Sequence, residues 1–275
     1  MSPIPIAFAK FMKGLLWAFA LSLGFLGVSG AQTRCEKLTF TGPPASPPTS
    51  WVLNGKLSGA SVELLESLLK KTEIKTIEQK IFPNWGEALD SVYKGEVDII
   101  MYAGWSSERA RFLNYIEPAY ASEFVQVVVR KGEAFPLLSV NDLASPRKGV
   151  TMRGSTYGDG LFGQFVNKEM KPRLVATPRE ALELLVNGSG DVDFFFAYEN
   201  GIRKEVFENN FASKVDYLTT FPHHANNYYA LSKRSKCYDA VHEIVSTGVI
   251  EANENKTYHR LVKKYRTIFE ESFVK

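Results

Sequence analysis

Apolar and polar positions along the chain alternate between two periods, and their order predicts a sheet covered by helices. Lys37 to Thr41 reads as a short strand, and the proline-rich run 42–48 after it excludes helix and central strand. From Ser61 to Lys71, Val62, Leu65 and Leu69 form one stripe with Leu64 and Leu68 beside it, the 3.6 period of a helix packed on a sheet. Ile74 to Phe82 suits a strand. Asn84 with Glu87 three positions on predicts a helix cap, with Trp85, Ala88, Leu89 and Val92 as the buried stripe and Gly95 as the stop. Val97 to Met101 predicts the next strand.

The second half repeats the theme. Val150 to Arg153 and Arg173 to Ala176 read as strands around a helix from Gly158 to Glu169, and Thr177-Pro178-Arg179-Glu180 is a cap with proline at the first helical position. Leu182 and Leu185 carry the apolar face that follows. Asp193 to Ala197, with three consecutive phenylalanines, predicts a strand buried on both faces. Strand and helix in alternation predict a mainly parallel sheet. The β-rich runs Phe124 to Arg130 and Phe221 to Leu231 are each long enough to cross between the halves. Two crossings imply two hinged lobes, with the amphipathic stretches 239–247 and 254–269 returning to the first. The predicted boundaries are 32–128 and 223–275 for the first lobe and 129–222 for the second.

Residues 1–31 read as a secretory signal. Lys10 and Lys13 supply the positive start, Leu15 to Val28 the apolar run, and Ser29-Gly30-Ala31 the small-residue end, so cleavage after Ala31 is expected. The alternative is a membrane anchor, but the run falls short of the roughly 20 residues that span a bilayer. Export makes a disulfide the expected state of the only two cysteines, Cys35 and Cys237. Lipid attachment at Cys35 is the alternative; Gln32-Thr33-Arg34 lacks the small and aliphatic residues it would want.

Net charge is +3, with 33 basic against 30 acidic residues, so no broad basic surface for nucleic acid is available. Aromatic residues make up 13%, which favours a large core or a pocket for a small ligand. His223 and His224 on an extended segment face opposite sides, so one metal held by both is not expected.

The order of motifs resembles the bacterial extracellular solute-binding proteins of family 3. It runs through Pro47-Pro48, Trp51 and Gly55-Lys56-Leu57-Ser58-Gly59, then Trp85 with Gly95-Glu96-Val97-Asp98 and Ser106-Ser107-Glu108-Arg109-Ala110-Arg111. Tyr115 to Tyr120, Asn141-Asp142-Leu143, Gly154-Ser155-Thr156 and Gly190-Asp191-Val192-Asp193 complete it. The resemblance implies an α/β, two-lobed periplasmic binding protein fold of type II, with the ligand in the cleft between lobes. It implies a monomeric periplasmic receptor, without cofactor, that hands an amino acid or related small carboxylate to the membrane subunits of an ABC importer. A periplasmic dehydratase or lyase on the same scaffold, or a sensing module, are the alternatives.

The resemblance assigns the ligand's carboxylate to Arg109, and a guanidinium fork suits that role because it matches a carboxylate bidentately and stays charged. Ser155 and Thr156, in a glycine-punctuated turn, complete an anion clamp; Gly104 and Ser106 match ligand-approaching positions of relatives. Arg111 reads as a surface charge. Trp51, Tyr102 and Trp105 fall at or beside the cleft, whereas Trp85 reads as core. The chain departs from the family after the triple-phenylalanine strand, where amino-acid receptors carry an aspartate for the ligand's ammonium and Tyr198 stands here. Glu199 takes over, or another first-lobe acid such as Glu123 does, or the ligand lacks a free amine.

Overall fold

The computed structural model describes residues 35–188 and 191–273, so the expected leader and Gly190 lie outside the described residues. Its strands are β1 (Lys37–Thr41), β2 (Ala45–Ser46), β3 (Ser50–Leu53), β4 (Lys56–Ser58), β5 (Thr76–Gln79), β6 (Ile99–Gly104), β7 (Leu113–Arg130), β8 (Gly149–Met152), β9 (Arg173–Val175), β10 (Phe194–Tyr198) and β11 (Val215–Ser232). The helices are α1 (Ala60–Leu69), α2 (Trp85–Lys94), α3 (Leu161–Gln164), α4 (Pro178–Asn187), α5 (Glu199–Glu208), α6 (Tyr238–Glu254) and α7 (Thr257–Glu271). Among the described residues, no helix is long and apolar enough to cross a membrane.

Eight strands form one sheet in the order β5-β1-β6-β11-β7-β10-β8-β9, and β2, β3 and β4 form a small second one. Parallel pairing holds on both flanks, β5 with β1 and β1 with β6 on one side, β10 with β8 and β8 with β9 on the other. The long strands β7 and β11, each of 18 residues, run antiparallel between them. Both predicted crossings are therefore strands of one ladder, and both begin earlier than their β-rich cores suggest.

Local chemistry fixes the helix ends. The Asn84 side chain accepts from the Glu87 N–H and Gly95 closes α2 in the left-handed region; Thr177 accepts from the Glu180 N–H ahead of Pro178. The small sheet and the helix α5 go unpredicted. Asn54-Gly55, both at positive φ, turn the β3–β4 hairpin. The Asn200-Gly201 pair disguises the start of α5, whose Ile202 and Val206 are buried. The predicted helix 158–169 is shorter, with α3 passing into a π-helical turn at Phe165–Met170.

One core cluster unites Leu38, Phe40, Leu65 and Ile99 with Tyr229, Val241 and Val245, so the C-terminal helices pack on the first-half strands. The phenylalanines of β10 divide as period two requires. Phe195 joins a cluster with Val150, Leu182 and Ile202, and Phe194 and Phe196 join one with Tyr157 and Phe162 on the other face. Cys35 and Cys237 are bonded, with Cα atoms 5.0 Å apart and 202 positions between them in sequence.

Candidate functional site

The site begins where β6 ends. The Ser106 hydroxyl accepts the Arg109 N–H at 3.2 Å and starts a short 3₁₀ turn, Arg109–Arg111, which aims the Arg109 side chain back over the strand. Arg109 is only 5% exposed. Its Nη1 donates to the Gly104 carbonyl at 2.7 Å, and its Nη2 donates to the Gly154 carbonyl, far away in sequence. The Trp85 indole N–H donates to the same Gly154 oxygen at 3.0 Å, and the guanidinium carbon lies 5.7 Å from the Trp85 ring centre. Gly154, at φ +78°, suits glycine, and a Cβ there would press on Trp85 at 3.3 Å.

These groups border a cavity of about 50 Å³ that Ser155, Thr156, Tyr102, Tyr198 and Asn227 also line. Its described lining holds one guanidinium and no carboxylate. A buried cation without a carboxylate partner is costly, and here two backbone carbonyls share the charge.

The Tyr198 hydroxyl donates to the Thr156 carbonyl, and its ring stacks on Tyr157 with centres 5.8 Å apart. Burial pushes its phenol well above the ordinary range. Glu199 is not among the residues lining the cavity; its carboxylate accepts from Arg203 at 2.5 Å, one turn along α5. Glu123, by contrast, is 4% exposed. One of its oxygens accepts the Asn200 N–H at 2.5 Å and the other accepts the Tyr102 hydroxyl. Tyr102 sits at φ 63°, a strained conformation for a bulky residue and one that clusters at functional sites.

Burial outweighs these hydrogen bonds and raises the Glu123 carboxyl to about 7. The folded protein thus holds this proton more tightly than the unfolded chain does. The stability it contributes is complete below about pH 4.5 and is lost as pH rises through about 7, roughly 3 kcal/mol in all. Denaturant midpoints at about pH 5 and pH 8 are expected to show that fall, and Glu123→Gln to flatten it.

Two sequence expectations are corrected and one is extended. Trp51 is buried edge-on against Tyr265 and Phe269 of α7, 5.8 and 5.9 Å away, and does not line the cavity. Trp85 packs, partly buried, against the core cluster of Leu89, Val92 and Ile100 as expected, and it also borders the cavity. Ser106 caps the turn that carries Arg109 and is not part of the lining. Gly104 lines the cavity through its backbone, where a Cβ would lie 3.3 Å from Thr156. Trp105 borders a neighbouring cavity of about 210 Å³ with His223 and His224. Those imidazoles face apart, one on Phe162 at 4.7 Å and the other on Phe124 at 3.9 Å. Asn227 was missed; its signal is position, since β11 pairs it with Gly104.

This arrangement is the two-lobed α/β fold of periplasmic binding proteins, with residues from distant stretches meeting at one cleft. The chain belongs to the bacterial extracellular solute-binding proteins, family 3, whose model matches residues 38–268. Among solved structures it resembles a histidine kinase sensor domain similar to periplasmic binding proteins, at 22% identity and TM-score 0.67 over 84% of this chain and 96% of that one. It also resembles the amino acid ABC transporter substrate-binding protein AbpA from Streptococcus pneumoniae bound to L-arginine, at 20% identity and TM-score 0.65, over 86% and 95%. A third is an ancestral amino-acid-binding protein, a precursor of cyclohexadienyl dehydratase, at 19% identity and TM-score 0.62 over 84% and 95%. A comparison with curated protein sequences finds no match.

Proposed function

We propose that the protein is a periplasmic receptor, exported by the leader 1–31, that captures an amino acid or related small carboxylate for the membrane subunits of an ABC importer. The observation that carries this reading is the buried Arg109 guanidinium, bordering a cavity with no acidic residue in its described lining. The ligand carboxylate meets the guanidinium, with Ser155 and Thr156 lining the same cavity. The lobes of this reading are 32–128 with 223–275, and 129–222.

Family membership and the transporter-linked relative support binding over catalysis. So does the lining, because an enzyme of the dehydratase or lyase type needs a positioned acid or base, and Glu123 has both oxygens engaged. Native mass spectrometry of freshly purified protein is expected to show one co-purified small acid per chain. A mass change of that compound on incubation would instead establish turnover and reject the receptor reading.

A further inference from the structure

Resting on the reading that Arg109 holds a carboxylate, we propose that the ligand carries an oxygen rather than an ammonium beside that carboxylate, and that Asn227 recognises it. The class is a short 2-oxo or 2-hydroxy acid with an apolar tail. Two independent observations lead there.

The first is the absence of a carboxylate to offset an ammonium's charge among the described cavity residues, whose other acceptors are neutral. No carboxylate lines the cavity, and Tyr198 spends its hydroxyl proton on the Thr156 carbonyl. Glu199 is paired with Arg203 and does not line the cavity. Glu123 has one oxygen on the Asn200 N–H and the other on the Tyr102 hydroxyl, so neither is directed at a ligand. An ammonium placed here would face a guanidinium without a compensating charge, which the low-polarity site penalises.

The second is a donor without an acceptor. Asn227 is 4% exposed and borders the cavity from β11, yet its side-chain Nδ2 has no hydrogen-bond partner. Buried amide N–H groups are ordinarily satisfied, and this one lacks a partner in a residue that borders the cavity. What it needs is a lone pair. A keto or hydroxyl oxygen at C2 supplies one, and an ammonium has none. The remaining walls, including Trp85, Tyr102 and Met152, present rings and a thioether that suit a short apolar tail.

Isothermal titration with matched sets tests this: pyruvate, L-lactate and L-alanine, then phenylpyruvate, L-phenyllactate and L-phenylalanine. In at least one set the oxo or hydroxy acid is expected to bind at least tenfold tighter than its amino acid. Asn227→Asp replaces the donor by a carboxylate and is expected to swing the preference toward the amino acid. A residue that only supported the fold would lower all affinities together. Asn227→Ala, which removes the amide donor without adding a charge, is expected to erase the preference for the oxo or hydroxy acid and serves if the aspartate variant does not fold. Tighter binding of the amino acid by the wild type overturns the amine-free class and leaves the Arg109 reading standing. Unchanged selectivity in a folded Asn227 variant removes that residue from recognition. Binding of none of the six compounds overturns the inference, while a different co-purified acid whose binding requires Arg109 would leave the receptor reading intact.

Discussion

Arg109→Ala is expected to abolish the rise in melting temperature that a bound carboxylate gives the wild-type protein. Ligand that binds only the folded state stabilises it by mass action, so the size of the rise reports affinity directly. Removing the guanidinium leaves a buried carboxylate facing two carbonyl oxygens, those of Gly104 and Gly154, where it had faced a fork of donors. Breaking a buried ionic contact in this way costs about 3–5 kcal/mol, a loss of more than a hundredfold in affinity. Arg109→Lys is expected to recover only part of it, because an ammonium on a single stem cannot span both carbonyls and the ligand together. Thermal melts with increasing ligand, paired with calorimetry, measure both effects. Unchanged affinity in the alanine variant would place the carboxylate elsewhere.

Reduction of the Cys35–Cys237 bond is the second large effect expected. The bond closes a loop of 202 positions, and loop-closure entropy for that length corresponds to about 5 kcal/mol, with native-state strain reducing the figure in practice. It joins the segment just before β1 to the start of α6, both in contact with the same core cluster. Cys35→Ser with Cys237→Ser is expected to shift the denaturation midpoint downward by several kcal/mol in stability while ligand selectivity is retained, since neither cysteine borders the cavity. Equilibrium denaturation with and without reductant checks it, and equal midpoints would show that the bond contributes nothing.

The elements that were legible in the sequence are those whose signal is local. Asn84 and Thr177 announce their helices by cap chemistry, and the phenylalanines of β10 announce a strand by being apolar without interruption. Arg109 stands out in the sequence through its motif context, and the structure places it at the cavity. Helical periodicity puts Trp85 on the buried side of α2 but does not say what stands beyond the first turn, and no local pattern shows that α7 covers Trp51. Glu123 and Asn227 carry no motif. Each acquires its meaning from a strand pairing or a helix end far away in sequence, Asn227 opposite Gly104 and Glu123 against the N–H of Asn200. The start of α5 was hidden because its Asn-Gly pair has the composition of a turn, and only its packing on buried neighbours reveals a helix.

The side-by-side course of β7 and β11 has a kinematic consequence. The two strands are hydrogen-bonded from Leu113 opposite Ser232 to Arg130 opposite Val215, with the register slipping between Leu218 and His223 and again between Asn227 and Tyr229. A bonded strip of two backbones resists sliding in its own plane and yields out of plane, most easily where the ladder is irregular. Bending at those irregular points is the movement this ladder opposes least. Arg109 follows β6 and Gly154 follows β8, strands on opposite sides of the ladder. A bend there would open the contact between the guanidinium and a glycine carbonyl 45 positions away in the chain.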